Sequence, residues 1–457
     1  MADAVAPPPG AWDLEVDVAI VGAGACGLVA ALAAREAGAQ PLVIEADAVP
    51  AGSTALSAGL IPAAGTRLQH AAGIADDPVR FAADIQAKAG GENPQALVDL
   101  LAREAGPAVD WLEAAGLPFS VVDGFDYPGH SRRRMHGLPT RSGRELVDGL
   151  RSLAEARGVD LVCGRRVRRL FAASGAVAGL EADGPDGPET VGARAVILAC
   201  NGFGGDRAMV ARHMPGIADA LWFGHDGNRG DAVRWGAALG ARTAHLGAYQ
   251  GHGNVAHPHG ILISWATISE GGVQVNAEGR RFWNEAQGYS EAARVVLSQP
   301  GGVAWTVFDA RIAAVARQFE DFRQAEAAGA VREGDDPGAL AEACGLPADA
   351  LAGTLAALPR DGVDGFGRRF AGPGLAPPYR AVKVTGALFH TQGGLVVDGA
   401  ARVLGDGGPV PGLYAAGGAA QGVSGRGDSG YLSGNGLLAA VALGRVAGRA
   451  AAGRRGV

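Results

Sequence analysis

A nearly continuous apolar run, Val16-Asp17-Val18-Ala19-Ile20-Val21, leads without a break into Gly22-Ala23-Gly24-Ala25-Cys26-Gly27. The run reads as a short buried strand. Cys26–Ala37 has helical composition, and Pro41-Leu42-Val43-Ile44 is a second strand ending at Glu45. Strand, helix and strand in this order form a βαβ unit, which requires a parallel sheet. The glycines have separate tasks: Gly22 permits a tight turn, Gly24 lets the backbone approach a pyrophosphate, and Gly27 allows close helix–strand packing. A pyrophosphate held by Gly22–Gly27, with Ala23, Ala25 and Cys26 in its backbone, would sit on free N–H groups at the positive end of a helix. Glu45 lies where a carboxylate accepts from ribose hydroxyls.

A second glycine-rich segment sits at the far end of the chain. Gly412-Leu413-Tyr414-Ala415-Ala416-Gly417 is followed by a polar, glycine-rich loop to Gly434-Asn435-Gly436-Leu437 and a final helix over 435–451. A single dinucleotide-binding domain has no use for it. If both ends build one site, the segment between them is an excursion from one fold. Helices are expected at Asn93–Ala115 and Ser142–Arg157, and strands at Val159–Cys163, Ala176–Glu181 and Arg194–Cys200. Near Leu246 the texture changes to His- and Gly-rich loops with mixed strands. A helical, alanine- and acid-rich stretch covers about 310–358, and strand character returns over Gly386–Asp398.

Composition narrows the class. The 457 residues suffice for two domains with a large core. A net charge of −7 leaves no electrostatic footprint for nucleic acid. No apolar run reaches the ~20 residues of a membrane span, and the first dozen residues lack the pattern of a signal peptide. Cys26, Cys163, Cys200 and Cys344 are far apart with no Cys-x-x-Cys, which fits a reduced cytoplasmic protein without a cysteine metal site. His252, His257 and His259 have no metal-ligand spacing and read as loop residues satisfying backbone groups. No metal is expected.

The order of further pieces resembles the flavoproteins of the fumarate reductase and succinate dehydrogenase superfamily over almost the whole chain. They are Gly22–Gly27, Gly52-Ser53-Thr54-Ala55-Leu56-Ser57-Ala58-Gly59, Cys200-Asn201-Gly202-Phe203-Gly204, Gly230-Asp231-Ala232, Gly279–Glu285, His390-Thr391-Gln392-Gly393-Gly394, and Gly412–Gly417 with Gly434-Asn435-Gly436. The resemblance implies an α/β fold: a Rossmann-like FAD-binding domain with a mixed sheet, over 1–246 and 390–457, and an inserted α+β capping domain over 247–389. It implies non-covalent FAD, with the final helix pointing its N-terminus at the flavin pyrimidine edge, where negative charge develops on reduction. The implied cofactor residues are Gly22 to Gly27, Glu45, Gly52, Ser53, Thr54, Ser57, Gly59, Asn201, Gly202, Asp231, Gly417, Gly434, Gly436 and Leu437, and the active site is expected where the domains meet.

Fumarate reductases clamp a dicarboxylate with arginines and use an arginine proton donor. The family places one arginine shortly after the Arg-Phe-x-Asn-Glu motif, where this chain has Tyr289, and another before the glycine-rich helix start, where it has Tyr431. Two tyrosines at these places resemble the 3-ketosteroid dehydrogenase branch. There one tyrosine takes a proton beside a ketone, another tyrosine and a backbone N–H hold the ketone oxygen, and a third tyrosine bonds the first. Phe125-Asp126-Tyr127-Pro128-Gly129 resembles the third element. The candidate catalytic set is Tyr289, Tyr431, Tyr127, Asn435 through its N–H, Ser433 through its hydroxyl, and His390. His390 belongs to the fumarate reductase pattern, where the histidine binds a substrate carboxylate. The mixture points to α,β-desaturation of a cyclic ketone, a 3-ketosteroid or a smaller oxo-cyclohexane bearing a carboxylate. The alternative is a fumarate- or enoate-type reductase. A second alternative, an electron-transfer module without a substrate, lacks any Fe–S or haem motif. Arg132-Arg133-Arg134 with His136 reads as a solvated basic face, and Asn284 and Glu285 as fixing a cap loop. Expected partners are the small ketone and an unidentified electron acceptor, for a monomer or homo-oligomer.

Overall fold

The computed structural model describes residues 4–123 and 127–453. Phe125 and Asp126 of the Phe125–Gly129 element lie outside the described residues, whereas Tyr127 is within them. The chain divides into two compact units. The first is Met1–Met214, Gly224–Tyr249 and His390–Val457; the second is Pro215–Phe223 and Gln250–Phe389. The sequence reading assigned Pro215–Phe223 to the FAD-binding domain. It belongs to the second unit, because Leu221 and Trp222 pair in parallel with Ala387 and Leu388 of the long strand Tyr379–Thr391. Two residues of strand carry too little pattern to announce a partner over 160 residues away.

The first unit is organised by the strand Pro188–Leu198, longer than the expected Arg194–Cys200. One edge pairs in parallel with Leu14–Val21, which in turn pairs with Pro41–Ile44 and then Asp160–Val162. The other edge is shared. Its first half pairs antiparallel with Ala176–Asp183, and its last residues pair in parallel with Leu413–Ala415. Leu198 therefore has Val21 on one side and Ala415 on the other. The chain leaves all three strand ends together, at the carboxyl edge where open parallel sheets bind ligands. The sheet is mixed, as the sequence implied.

Small residues bring the helices onto this sheet. Ten of the twelve residues of the helix Ala25–Glu36 are buried, and it packs against the last helix, Gly444–Ala452. A Cβ at Gly448 would lie 2.1 Å from the Ala30 carbonyl oxygen, so only glycine lets the two backbones come this close. The last helix forms from Asn435–Leu438, a π-helical stretch Ala439–Leu443, and Gly444–Ala452.

The second unit has its own sheet, in the order Ile261–Leu262, Tyr249–Ala256, Tyr379–Thr391, Val303–Asp309, Val273–Val275, with helices around it and apolar clusters of its own. The stretch 310–358 is not helical throughout. Val331–Gly334 is a strand on Tyr379–Val382, so tertiary pairing overrides its alanine-rich flanks.

Glycine substitutions separate close approach from chain entropy. Gly448→Ala should destabilise the first unit by about 1–3 kcal/mol through overpacking. Gly353→Ala, at an exposed position of the helix Ala348–Ala356 where nothing lies within 4 Å of a Cβ, should stabilise the second by about 0.5–1 kcal/mol. Calorimetric unfolding of both variants checks this; equal effects would contradict the packing argument.

Candidate flavin and substrate site

The turn after Leu14–Val21 has the conformation its glycines allow. Gly22 has φ +103°, and a Cβ at Gly27 would lie 1.8 Å from the Gly22 carbonyl oxygen. Gly24 caps the helix Ala25–Glu36 with no side-chain bond, and no acidic residue occupies the first turn. The helix therefore keeps uncompensated N–H groups and its positive dipole end for an anion. Of these N–H groups, that of Ala25 is given to Thr54 Oγ1 at 3.0 Å. Glu45 is buried, and its carboxylate accepts from Ala23 N–H at 2.6 Å and Asp47 N–H at 3.0 Å. Ser57 Oγ donates to the Thr54 carbonyl and accepts from Gly59 N–H, which folds the Gly52–Gly59 segment back on itself. Ser53 Oγ accepts from Asn228 Nδ2 at 2.8 Å.

Asn201, with φ +62°, accepts from Gly202 N–H at 2.9 Å directly after the central strand. Asp231 opens the helix Asp231–Ala238 and pairs with Arg166 and Arg234. Gly417 lies against Cys26. Burial pushes the thiols of Cys26 and Cys200 up to about 12, Cys200 adding to the effect on Cys26, so both are neutral packing groups. An uncapped helix N-terminus, an open glycine turn and a fixed carboxylate fit a dinucleotide.

At the start of the last helix a polar chain is built in the first unit. Gly434, in the left-handed region at φ +85°, caps it without a side-chain bond. Asn435 is fully buried; its Nδ2 donates to the Val423 carbonyl and to Ser424 Oγ, both at 3.1 Å. Its backbone N–H, expected to face a ketone, instead closes a turn on the Leu432 carbonyl at 3.0 Å. Ser424 Oγ donates to Gln392 Oε1 at 2.7 Å, and Gln392 Nε2 donates to His390 Nδ1 at 2.8 Å. That bond leaves the proton on His390 Nε2, beside Gly436, where a Cβ would come within 2.9 Å. Burial lowers His390 to about 4, so it is a neutral donor at pH 7 and not a cationic carboxylate clamp. Asn435 Oδ1 is buried without a partner among the described residues; a buried acceptor of this kind costs stability unless a ligand donates to it.

The Tyr431 ring meets the His390 imidazole edge-on at 5.6 Å. The Tyr127 phenol is held protonated: burial raises it first, Arg141 opposes this, and neighbouring Tyr431 adds to it. Ser433 is buried, and its carbonyl accepts from His130 Nε2 at 2.9 Å. Leu437 is half-buried against the core. The structure thus brings Tyr127, Tyr431, His390 and Asn435 together in one unit. Gln392 stands in the His390–Gly394 motif without an assigned role, whereas His130, Arg141 and Ser424 were missed in sequence; His130 meets a carbonyl 303 residues away and Ser424 a side chain 32 residues away.

Tyr289 belongs to the second unit. It opens the helix Tyr289–Leu297 after Gly288 at φ +130°, in an aromatic wall. His252 stacks on it at 4.9 Å and on Phe389 at 5.2 Å, Phe389 stacks on Phe223 at 4.6 Å, and Trp265 meets both His252 and Tyr289 edge-on. Burial lowers His252 to about 3, and its Nδ1 accepts from Asn254 N–H, so it is a neutral part of the wall.

The arginines are occupied. Arg134 is not solvated, as its run suggested, but fully buried against Asp76 and Asp84 and over the Phe81 ring. His136 is likewise buried, between Thr66 Oγ1 and the Arg134 carbonyl. Arg133 is spent on Asp123, and Arg132 on the Ala75 carbonyl. In the second unit, Glu285 is fully buried and takes Arg281 Nε and Arg368 Nη1, each at 3.0 Å, plus the Gln274 N–H. Asn284 caps the turn 285–287. The Arg-Phe-x-Asn-Glu motif is thus an internal ion network.

Comparison with known proteins agrees with this cradle. Residues 17–437 match the FAD binding domain family FAD_binding_2, and the chain belongs to that family. It is 32% identical to the probable fumarate reductase Ifc3 of Shewanella frigidimarina (strain NCIMB 400), over 95% of this chain and 74% of that protein. It is 26% identical to 4-oxocyclohexanecarboxylate 2-dehydrogenase of Sinomonas cyclohexanicum, over 96% of this chain and 93% of that one. The crystal structure of 3-ketosteroid Δ4-(5α)-dehydrogenase from Rhodococcus jostii RHA1 in complex with 4-androstene-3,17-dione superposes with a TM-score of 0.76 at 25% identity, covering 97% of this chain and 98% of that one. The protein is a flavoprotein of the dehydrogenase and reductase family, whose members here are FAD-dependent oxidoreductases acting on CH–CH groups. Among the described residues no helix is long and apolar enough to cross a membrane.

Stability should register these neutral histidines. His136 is lowered by burial to about 4, while an unfolded histidine titrates near 6.5. The unfolded chain therefore takes up protons first, and stability falls as pH drops from about 6.5 toward 4. Urea unfolding across this range should show the fall, and His136→Gln should make it shallower; an unchanged slope would contradict the assignment.

Proposed function

We propose that this flavoprotein desaturates a small cyclic ketone of the oxo-cyclohexane type, removing hydrogen from the carbons α and β to the carbonyl. The observation that carries the reading is the pair of phenols, Tyr289 and Tyr431, at the two places where the reductase pattern has arginines. The internal pairing of Arg281 and Arg368 supports it, since neither guanidinium is left over for a dicarboxylate.

In this reading Tyr289, as its phenolate, takes the acidic α-proton and becomes the neutral phenol. Tyr431 donates to the ketone oxygen as charge develops on it, with the Ser433 hydroxyl as a further donor; the Asn435 N–H joins them only by leaving the Leu432 carbonyl, which it meets at 3.0 Å. Tyr127, held protonated, is the donor that hydrogen-bonds Tyr289 in this reading. His390 offers a neutral N–H, suited to a polar substituent on the ring. FAD, held non-covalently by the cradle around Gly24, supplies the hydride acceptor when bound. The aromatic wall around Tyr289 supports a ring-shaped, largely apolar substrate.

The fumarate-type alternative is favoured by the 32% identity to Ifc3 and by His390 in the His-Thr-x-Gly-Gly motif. Anaerobic mixing separates the two. 4-Oxocyclohexanecarboxylate should bleach the flavin, and Tyr289→Phe should slow the bleaching by about 10²–10⁴-fold with FAD retained. Failure of every cyclic ketone, with rapid reoxidation of the reduced protein by fumarate, would overturn the reading.

A further inference from the structure

The loop 224–230 makes polar contacts that none of the cofactor motifs accounts for. His225 Nε2 lies 2.7 Å from Asp47 Oδ2. His225 Nδ1 accepts from Gly227 N–H at 3.0 Å, so Nε2 carries the proton and donates to the carboxylate. The same loop is tied at a second point: Asn228 Nδ2 donates to Ser53 Oγ at 2.8 Å, and His225 N–H reaches it at 3.4 Å.

Both anchors adjoin the cofactor cradle. Asp47 gives its N–H to the Glu45 carboxylate, and its carbonyl accepts from Gly164 N–H at 2.9 Å, so it is fixed beside the ribose-binding acid. Ser53 precedes Thr54, whose hydroxyl oxygen accepts from Ala25 N–H at the phosphate-facing helix start. A loop fastened at Asp47 and at Ser53 spans the stretch that runs from the ribose acid to the phosphate turn. Other charged groups at this turn are Asp226 and Arg229 of the loop itself, Arg229 Nε donating to the Asp226 carbonyl at 3.2 Å, and Arg166, 3.9 Å from a Cβ at Gly227 and paired with Asp231.

We propose that residues 224–230 are a strap over the adenosine half of FAD, and that the His225–Asp47 hydrogen bond is its clasp. The clasp is partly open to solvent, with 25% and 36% of the two side chains exposed. It therefore sets how fast the cofactor leaves more than whether the fold forms. Breaking it should raise the FAD release rate by about fivefold, the upper range for a partly exposed pair.

The test uses the purified holoprotein and follows the rise of free-flavin fluorescence after dilution. His225→Ala and Asp47→Asn should each speed release about fivefold, and the double variant no more than either alone. The melting temperature of the cofactor-stripped protein should stay at the wild-type value. Unchanged release from a protein that still carries FAD would overturn the strap while leaving the flavoprotein assignment intact. Additive effects of the two substitutions, or an equal drop in the melting temperature of the stripped protein, would also overturn it. His225→Gln, which keeps a donor, should restore slow release.

Discussion

The arrangement depends on one strand end. Leu198 is held between Val21 and Ala415 in parallel ladders. That pairing fixes where the Gly22 turn, the Asn201–Gly202 turn and the Gly417 turn begin. The cofactor cradle forms because these three exits share one edge. The helix starting at Asn435 is placed by the same sheet, through close packing of its Gly444–Ala452 part on the helix Ala25–Glu36.

Around this frame, polarity is handled in two ways. Charges in the interior are paired off: Arg134 with Asp76 and Asp84, and Arg281 and Arg368 with Glu285. Breaking such pairs is costly, because it leaves an uncompensated buried charge. They serve architecture. Beside them stand neutral groups that can meet a ligand, the His390 imidazole and the Asn435 Oδ1, with Arg141 the charge that acts on Tyr127. Neutral donors of this kind suit charge that develops on a ketone oxygen, as the proposed reaction requires.

Sequence reached the cradle because each glycine there answers a local demand that strand, turn and helix impose on neighbouring residues. It also named Tyr431, Asn435 and His390 through motif positions; the structure sets Tyr431 against His390 and links Asn435 to His390 through Ser424 and Gln392. It did not reach what depends on long-range partners. Arg134 looks solvated in a basic run, yet Asp76 and Asp84, 58 and 50 residues away, bury it. Val331–Gly334 is a strand because Tyr379–Val382 offers an edge. His225 carries no motif at all; only its approach to Asp47 marks it.

The central claim is that this flavoprotein oxidises a ring ketone at the carbons beside its carbonyl. Mass spectrometry of the product after stoichiometric anaerobic turnover of 4-oxocyclohexanecarboxylate tests it most directly. The account predicts the conjugated enone, lighter than the substrate by one pair of hydrogens. Recovery of unchanged ketone from oxidised holoprotein, together with saturation of fumarate by the reduced form, would contradict it.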